Sequence, residues 1–461
     1  MGWFTNLINN MCIIKSSELR NLRRLAMEGN VEAQYDLGKV YEHGDGVIQN
    51  YEAALRWFQR AANQGFANAQ SDLGYMYSEG LGVTQDYKAA LKWYRLAADQ
   101  RYAPAQYNVG NIYGKGQGVP QDYAEAIKWY TRAAKEGLVE AQTNLGVMHF
   151  TGHGVPQNYE EAVKWWLKSA PQGHAQAQAA LGNMYGNWLG VLQDHREAAK
   201  WLRLSAEQGN AVAQNFLGYL YDTGQGVVQD HTMAARWYRT AADQGNAEAQ
   251  NALADLLRVG EGVQQNASEA VKWYRKAAEQ DFAVAQNTLG ALYQAGIGVE
   301  QSDVLAMKWY RAAADQGDAE AQNNVGIMYA FGRGVVQDEV EAVKWLRKAA
   351  ANNHAMAQHN LGSAYLEGSG VPQDSAEAVS WFHLAAEQDI HGAQYNLGLM
   401  YSDGDGVKRD DIQAYFWISL ALTDESLDAE QSQNVLASRM TSSQIAEARR
   451  LALDWMAKHQ Q

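Results

Sequence analysis

The sequence predicts an all-helical solenoid, a stack of small helical repeats, and three observations lead to this prediction. An Ala-Gln pair recurs eleven times at an interval of 36 residues, without insertion or deletion. A Gly-x-Gly-Val stretch recurs at the same interval in ten of the eleven units, and the segments on either side of it have helical periodicity. A period of about 20–50 residues is typical of repeat proteins, in which each unit packs on its neighbours. The 461 residues therefore predict one elongated domain rather than about three.

The glycine-rich stretch is interpreted as a joint and not as a nucleotide site. Residues 114–119 read GKGQGV, which resembles a phosphate-binding loop when taken alone. Such a loop also needs a preceding apolar strand and a Lys-Ser/Thr pair at fixed spacing, and the sequence has neither. Because the stretch recurs once per unit, it predicts the turn that ends the first helix of each repeat.

The first helix of each unit is predicted from the spacing of its apolar and small residues. Ala33, Leu37, Val40 and Tyr41 fall on one face of a helix. The residue after the leucine, Gly38 in the first unit, is glycine in ten of the eleven units. Glycine inside a helix costs about 1 kcal/mol relative to alanine, so its recurrence predicts a close approach of another backbone.

The second helix of each unit is predicted to begin at a side-chain cap. The capping positions share a short side-chain oxygen that accepts from the first turn of a helix. They are Asn50, Asp86, Asp122, Asn158, Asp194, Asp230, Asn266, Ser302, Asp338, Asp374 and Asp410. Seven units carry Glu or Gln three residues later, which predicts a capping box. A tryptophan then recurs in every unit, from Trp57 to Trp417, and is interpreted as a core residue of each layer.

The repeat unit resembles a known family. The segment AQTNLGVMHFTGHGVPQNYEEAVKWWLKSAPQG is similar to the Sel-1-like repeat of bacterial type, a relative of the tetratricopeptide repeat, and the resemblance covers roughly residues 16–423. It implies a right-handed α/α superhelix whose first helices line a concave groove that holds peptides or partner proteins, as in an adaptor or scaffold. The ending ASRMTSSQIAEARRLALDWMAKHQQ resembles the helical tail of many bacterial members. The expected organisation is an N-terminal segment and capping helix over 1–28, repeats over 29–423 and C-terminal capping helices over 424–461.

The charge of the expected groove favours a neutral or basic peptide. Positions equivalent to 32, 35, 36, 39, 42 and 43 face away from the predicted core, and over eleven units they hold twelve acids and three bases. The chain as a whole carries a net charge of −14. Binding to nucleic acid requires a basic surface, so nucleic acid is not the expected partner.

Candidate ligand-binding residues follow from one position of the first helix and from the aromatic residues near it. Asparagine occupies that position in five units, and a row of carboxamides could hold the backbone of an extended peptide. The open alternative is that these asparagines bond to the adjacent helix. Trp188 replaces the first turn glycine of its unit and is expected to be exposed. The candidate set is Asn108, Asn144, Asn324, Asn360, Asn396, Tyr107, Phe150, Phe331, Tyr395 and Trp188.

The sequence offers little support for catalysis, a cofactor or a metal. His149 and His153 straddle a helix end and a glycine turn, and the chain has neither a His-Glu-x-x-His nor a Gly-x-Ser-x-Gly motif. The alternative function implied by the resemblance is binding or hydrolysis of β-lactams, although the relatives concerned have paired cysteines and this chain has only Cys12. No stretch approaches the ~20 apolar residues of a membrane span, and the first fourteen residues lack a secretory pattern, so a cytoplasmic location is expected.

Overall fold

Helices make up the part of the chain that the computed structural model describes, residues 16–422 and 427–459. These residues form twenty-five α-helices and one short 3-10 helix, with no strand among them. The all-helical fold class predicted from the sequence is therefore confirmed. Cys12 and the N-terminal stretch examined for a signal lie outside the described residues.

Two helices form each repeat, and further helices precede and follow the array. Helix α1 (Ser16–Met27) comes first, and α24 (Leu427–Arg439) and α25 (Ser442–His459) come last. The first helices of the repeats are α2 (Val31–His43), α4 (Ala67–Glu79), α6 (Ala103–Lys115), α8 (Val139–Thr151), α10 (Ala175–Gly186), α12 (Ala211–Thr223), α14 (Ala247–Val259), α16 (Ala283–Ala295), α18 (Ala319–Phe331), α20 (Ala355–Glu367) and α22 (His391–Asp403). The second helices are α3 (Tyr51–Asn63), α5 (Tyr87–Ala98), α7 (Tyr123–Lys135), α9 (Tyr159–Ser169), α11 (His195–Glu207), α13 (His231–Asp243), α15 (Ala267–Ala278), α17 (Asp303–Asp315), α19 (Glu339–Ala351), α21 (Ser375–Ala386) and α23 (Asp411–Leu420).

The chain divides into two compact units, 1–230 and 231–461. The described part of the first unit comprises α1 to α12, and that of the second comprises α13 to α25. Within each unit, consecutive repeat helices pack against one another. Each unit therefore has the neighbour-to-neighbour packing of a solenoid.

The glycine turn ends each first helix and brings consecutive repeats together. Gly116, just after α6, adopts a left-handed conformation with φ 67°, and its amide donates to the carbonyl of Ile112. The second turn glycine lies against the preceding repeat. A Cβ added to Gly154 would come within 2.7 Å of the backbone carbonyl carbon of Tyr123, at the start of α7. The turn predicted from the sequence is confirmed, and its second glycine is where two backbones meet.

The glycine inside the first helix has a different neighbour from the one predicted. A Cβ on Gly38 would lie 2.5 Å from ring carbons of Phe58, and one on Gly110 would lie 2.6 Å from the ring of Tyr130. The close approach is therefore made by a side chain of the second helix and not by a backbone. The prediction was wrong because the residue after each tryptophan, which the sequence analysis did not consider, points under this glycine.

The caps form as predicted, but the capping boxes do not. Asp122 accepts from the amide of Glu125 at 2.9 Å, and the other second helices for which the cap is described begin in the same way. In a capping box the Glu would accept from the cap residue's amide, but that amide donates to the carbonyl of Tyr113 at 2.9 Å. Glu125 instead accepts from Lys128 at 2.9 Å and from the indole of Trp129 at 3.0 Å.

The recurring tryptophan lies between layers, and the residue after it is buried in every repeat. Trp93 is partly buried and packs against a cluster that includes Phe58 of the preceding repeat and Leu73 of its own repeat, both fully buried. Trp345 is 2% exposed, whereas Trp57 keeps a larger exposed fraction. The interpretation of the tryptophan as a core residue is therefore correct for some repeats and partly correct for the others.

A ladder of buried glutamines, not foreseen from the sequence, links one repeat to the next. Gln286, the glutamine of an Ala-Gln pair, donates to the carbonyl of Ala278 at 3.0 Å and accepts from Gln316 at 2.8 Å. Ala278 ends the second helix of the preceding repeat, and Gln316 follows the second helix of its own repeat. The same glutamine makes the equivalent backbone bond in each of the other repeats. Each of these carbonyls also accepts from the backbone amide three residues later, as the Ala278 carbonyl does from Asp281, so the glutamine supplies a second bond.

Helices outside the repeats cover both ends of the array. Leu19 and Ala26 of α1 are buried in a cluster with Leu37 of the first repeat. At the other end, Ala448 and Ala452 of α25 are buried against residues of α23. These helices cover apolar surface that a terminal repeat would otherwise expose.

Candidate peptide-binding face

One side of the first helices is free of the core and forms the candidate site. We call the side chains at positions equivalent to 32, 35, 36, 39, 42 and 43 the first-helix face. In the first repeat, Ala33, Gln34, Leu37 and Val40 are buried, whereas the six face positions are exposed or partly buried. The face is less open at its second position, which is buried in four repeats. These residues are Ser71, Thr143, Asn215 and Asn323.

Three of the candidate asparagines are bonded to the neighbouring repeat. Asn144 donates to the Tyr107 hydroxyl at 3.4 Å. Asn324 donates to Oδ1 of Asn287 at 3.2 Å, and Asn360 donates to Oδ1 of Asn323 at 2.9 Å. The acceptor lies 37 residues earlier in each case, in the first helix of the preceding repeat. This arrangement is the alternative to peptide binding that the sequence leaves open.

The bond to the neighbouring helix does not use up the hydrogen-bonding capacity of the carboxamide. An asparagine amide has two N–H donors and an oxygen with two lone pairs, and each bond described above uses one N–H. Asn108 and Asn396 are partly buried and form no side-chain hydrogen bond with any described residue. All five amides therefore keep donors and acceptors that a bound backbone could use.

Two of the five candidate aromatic side chains are strongly exposed. Phe331 is 69% exposed at the end of α18, and the Arg333 guanidinium lies over its ring at 5.6 Å. Trp188 is 67% exposed and has φ 55°, a left-handed conformation unusual for a residue other than glycine. The expected exposure of Trp188 is thus confirmed.

The other three candidate aromatics take part in packing. Tyr107 lies 5.6 Å from the ring of Tyr130, and Phe150 lies 5.8 Å from that of Trp166. The hydroxyl of Tyr395 lies 3.1 Å from that of Ser432, in α24. These three rings are partly buried and therefore offer less surface to a ligand than Phe331 and Trp188.

Two of the three bases on the first-helix face are paired with acids of the same face. Lys39 lies 2.6 Å from Glu42 and 3.2 Å from Asp72. Burial raises the pKa of Asp72, although the Lys39 ammonium acts in the opposite direction. Arg258 lies 3.8 Å from Asp255. Three of the twelve acids on the face take part in these pairs, namely Glu42, Asp72 and Asp255.

Two candidate residues meet at a pocket in the second unit. A cleft of about 360 Å³ between α18, α19 and α20 is lined by Phe331 and Asn360, together with Leu346 and two carboxylates, Glu339 and Glu367. A smaller pocket of about 260 Å³ lies at the equivalent place in the first unit, next to Leu202. Neither pocket was predicted from the sequence. The signal was present, because the residue after the tryptophan is leucine in these two repeats and not an aromatic.

The histidine pair considered for metal binding has other neighbours. The ring of His153 stacks on that of Tyr123, with centroids 4.8 Å apart. Across residues 16–422 and 427–459, no three His, Cys, Asp or Glu side chains are grouped as metal ligands would be. Over the same residues, no helix is both long and apolar enough to cross a membrane.

Comparison with protein families identifies every repeat unit. The Sel1 repeat model matches eleven consecutive segments of the chain. They are residues 31–66, 67–102, 103–138, 139–174, 175–210, 211–246, 247–282, 283–318, 319–354, 355–390 and 391–423. No curated protein matches the chain.

Two solved structures extend this finding. The chain is 38% identical to c5321, a protective antigen present in uropathogenic Escherichia coli strains that displays an SLR fold. The match covers 95% of this chain and 94% of c5321, with a TM-score of 0.86. It is 33% identical to a Sel1 repeat protein from Oxalobacter formigenes over 67% of this chain and 89% of that one, with a TM-score of 0.53. The repeats, the helical architecture and these similarities agree, and the chain belongs to the Sel1 repeat family.

Proposed function

We propose that this protein is a scaffold that holds an extended peptide segment of a partner protein on the first-helix face. Sel1 repeat solenoids generally serve as protein-interaction scaffolds, which supports the general class. The observation that carries the specific proposal is the row of partly buried carboxamides along the first helices, each with unused donors and acceptors. Such groups recognise a peptide backbone without reading its side chains.

The amides fall into two groups, each within one compact unit. Asn108 and Asn144 belong to the first unit, and Asn324, Asn360 and Asn396 belong to the second. Each group presents its carboxamides on consecutive repeats. The surrounding acids favour a neutral or basic segment over an acidic one.

The proposed activity is binding without turnover, in the cytoplasm. The competing candidate is a β-lactam-binding or β-lactam-hydrolysing protein. Incubation of the purified protein with a chromogenic β-lactam separates the two proposals. Hydrolysis that is lost on one polar substitution would favour the enzyme, and its absence together with retained partner capture would favour the scaffold.

The test of the scaffold is capture of a partner by matched variants. Purified full-length protein is immobilised and exposed to lysate of the native cell, and the captured proteins are quantified by mass spectrometry. The double variant Asn360→Ala and Asn396→Ala changes the first-helix face, whereas Asn63→Ala removes an exposed amide from a second helix. The proposal predicts a partner whose capture is lost only with the first variant. Equal capture by both variants would contradict it.

A further inference from the structure

The residue after each tryptophan divides the repeats into two classes. In eight repeats it is aromatic. In six of these its ring lies under the glycine of the first helix, at Gly38, Gly74, Gly110, Gly146, Gly290 and Gly362. The aromatic set is Phe58, Tyr94, Tyr130, Trp166, Tyr238, Tyr274, Tyr310 and Phe382. In the other three repeats it is aliphatic. These residues are Leu202, Leu346 and Ile418.

In the aromatic repeats the ring extends from the core to the first-helix face. The Tyr130 hydroxyl donates to Oδ1 of Asn111 at 2.8 Å, and a Cβ added to Gly114 would lie 3.4 Å from the same hydroxyl oxygen. At the position equivalent to Gly114 in a leucine repeat, a Cβ added to Gly186 would meet only the Cβ of Ala198, at 3.9 Å. Leucine therefore leaves vacant the space that the outer part of the ring fills elsewhere.

The larger pocket lies where this ring is missing. Leu346 is equivalent to Tyr130, and the residues equivalent to Asn111 and Gly114 are Ile327 and Ala330, which both line the pocket. Its volume of about 360 Å³ is within the range of ligand pockets, about 300–1,000 Å³. It opens beside Asn360 and Phe331, which belong to the first-helix face.

The charge around this pocket is negative. Glu339 and Glu367 line it, and neither forms an ion pair with a described residue. The rest of the lining is mainly aliphatic, as at Ile327, Val343 and Leu346. An apolar cleft bordered by unpaired carboxylates suits an apolar side chain that has a cation next to it.

We propose that this pocket accepts one aromatic side chain of the partner peptide, with a Lys or Arg directly beside it in the peptide sequence. The partner's ring fills the space that an aromatic side chain of the protein itself fills in eight other repeats. Its backbone lies against the unused donor of Asn360, and its cation faces Glu339 and Glu367. This inference rests on the proposed function and names the chemistry that the first-helix face selects.

The equivalent pocket of the first unit provides a matched control. It lies next to Leu202, but its lining is more polar, with Asn183, Asn187 and His195. It is also smaller, at about 260 Å³. An aromatic ring gains less from burial among amides than among aliphatic side chains, so the same peptide is expected to prefer the pocket next to Leu346.

The probe is the peptide acetyl-Gly-Lys-Phe-Lys-Gly-amide, in which 4-fluorophenylalanine replaces the phenylalanine. Its binding to the full-length protein is followed by fluorine NMR. We expect saturable binding, at least about tenfold weaker when alanine replaces the aromatic residue, because the ring supplies most of the buried apolar area. Leu346→Phe places in the pocket the ring that Phe58 and Phe382 already supply in other repeats, so it should fold normally and weaken binding about tenfold or more. Leu202→Phe should leave binding within about twofold of wild type.

A second variant tests the same site without changing the core. Glu339→Gln with Glu367→Gln removes both carboxylates and should weaken binding at low salt, with a smaller effect at high salt. Unchanged binding by both Leu346→Phe and this double variant, or a loss with Leu202→Phe instead, would overturn the inference. Partner capture that depends on the asparagines but not on Leu346 would leave the proposed function standing and reject only the aromatic pocket.

Discussion

Asn360 donates through Nδ2 to Oδ1 of Asn323 at 2.9 Å, and this bond joins the first-helix faces of two consecutive repeats. Asn360 also lines the pocket next to Leu346. The same amide therefore helps to hold the repeats in register and presents its remaining donor and acceptor at the candidate site. The two roles can be separated experimentally because they affect different quantities.

The first prediction concerns this row of amides. The pair Asn108→Ala and Asn144→Ala, or the pair Asn360→Ala and Asn396→Ala, should weaken partner binding more than about tenfold. The melting temperature should hardly move, because a partly exposed hydrogen bond contributes only about 0.5–1.5 kcal/mol. Titration of the captured partner and thermal unfolding of the same samples measure both effects. A sharp fall in melting temperature with unchanged binding per folded molecule would show that the amides are structural.

The second prediction concerns the glutamine ladder. Gln286→Ala removes two hydrogen bonds of a buried side chain, one to the Ala278 carbonyl and one from Gln316. The Ala278 carbonyl still accepts from the amide of Asp281, so each lost bond should cost about 0.5–1.5 kcal/mol. The exposed Gln264 makes no side-chain bond to a described residue, and Gln264→Ala is the control. Urea unfolding followed by circular dichroism should show a lower midpoint for the first variant alone. Coincident unfolding curves would mean that the ladder adds nothing to stability.

The third prediction concerns the tryptophans. Trp345 is 2% exposed, so Trp345→Ala should lower the free energy of unfolding by about 3–5 kcal/mol. Trp309 is only partly buried, so Trp309→Ala should cost less. Denaturant unfolding of the two variants gives the comparison. A larger loss from Trp309→Ala would contradict the burial order.

The fourth prediction concerns pH. His359 is partly buried with its ring 5.6 Å from that of Phe382, and burial lowers the pKa of this imidazole. The unfolded chain then binds the proton more readily than the folded one, so stability is lost as the pH falls below the unfolded pKa of about 6.5. Asparagine occupies the equivalent position in four repeats, which makes His359→Asn a conservative reference.

The comparison is a pair of melting curves. Between about pH 7.5 and 5.5 the melting temperature of the wild type should fall further than that of His359→Asn, since the two proteins differ only in this side chain. Parallel pH profiles would show that His359 does not contribute to the pH dependence of folding.

Local features of the fold could be predicted from the sequence because they depend on neighbouring residues. The period, the turn glycines and the caps at residues such as Asp122 each follow from a few adjacent positions. The capping box was wrongly predicted because the competing acceptor, the Tyr113 carbonyl, lies across the turn. Only the folded turn brings that carbonyl to the cap.

Features that depend on packing between helices could not be predicted in the same way. Gln286 meets Ala278 and Gln316, which lie 8 and 30 residues away and come together only when three helices pack. The space left by Leu346 is likewise bounded by three helices. The candidate asparagines were located correctly on the first-helix face, but their bonds to the preceding repeat depend on the spacing between repeats.

Site-specific crosslinking tests the central claim, that the first-helix face holds the partner, most directly. The photoreactive residue p-benzoylphenylalanine is placed in living cells either at the exposed aromatic position of Phe331 or at Lys344, an exposed residue of the second helix α19. With p-benzoylphenylalanine at position 331, the account predicts a crosslinked partner, and this crosslink should be lost when Asn360→Ala and Asn396→Ala are added. With p-benzoylphenylalanine at position 344, it predicts no crosslinked partner. A partner crosslinked from position 344 and not from position 331 would contradict it.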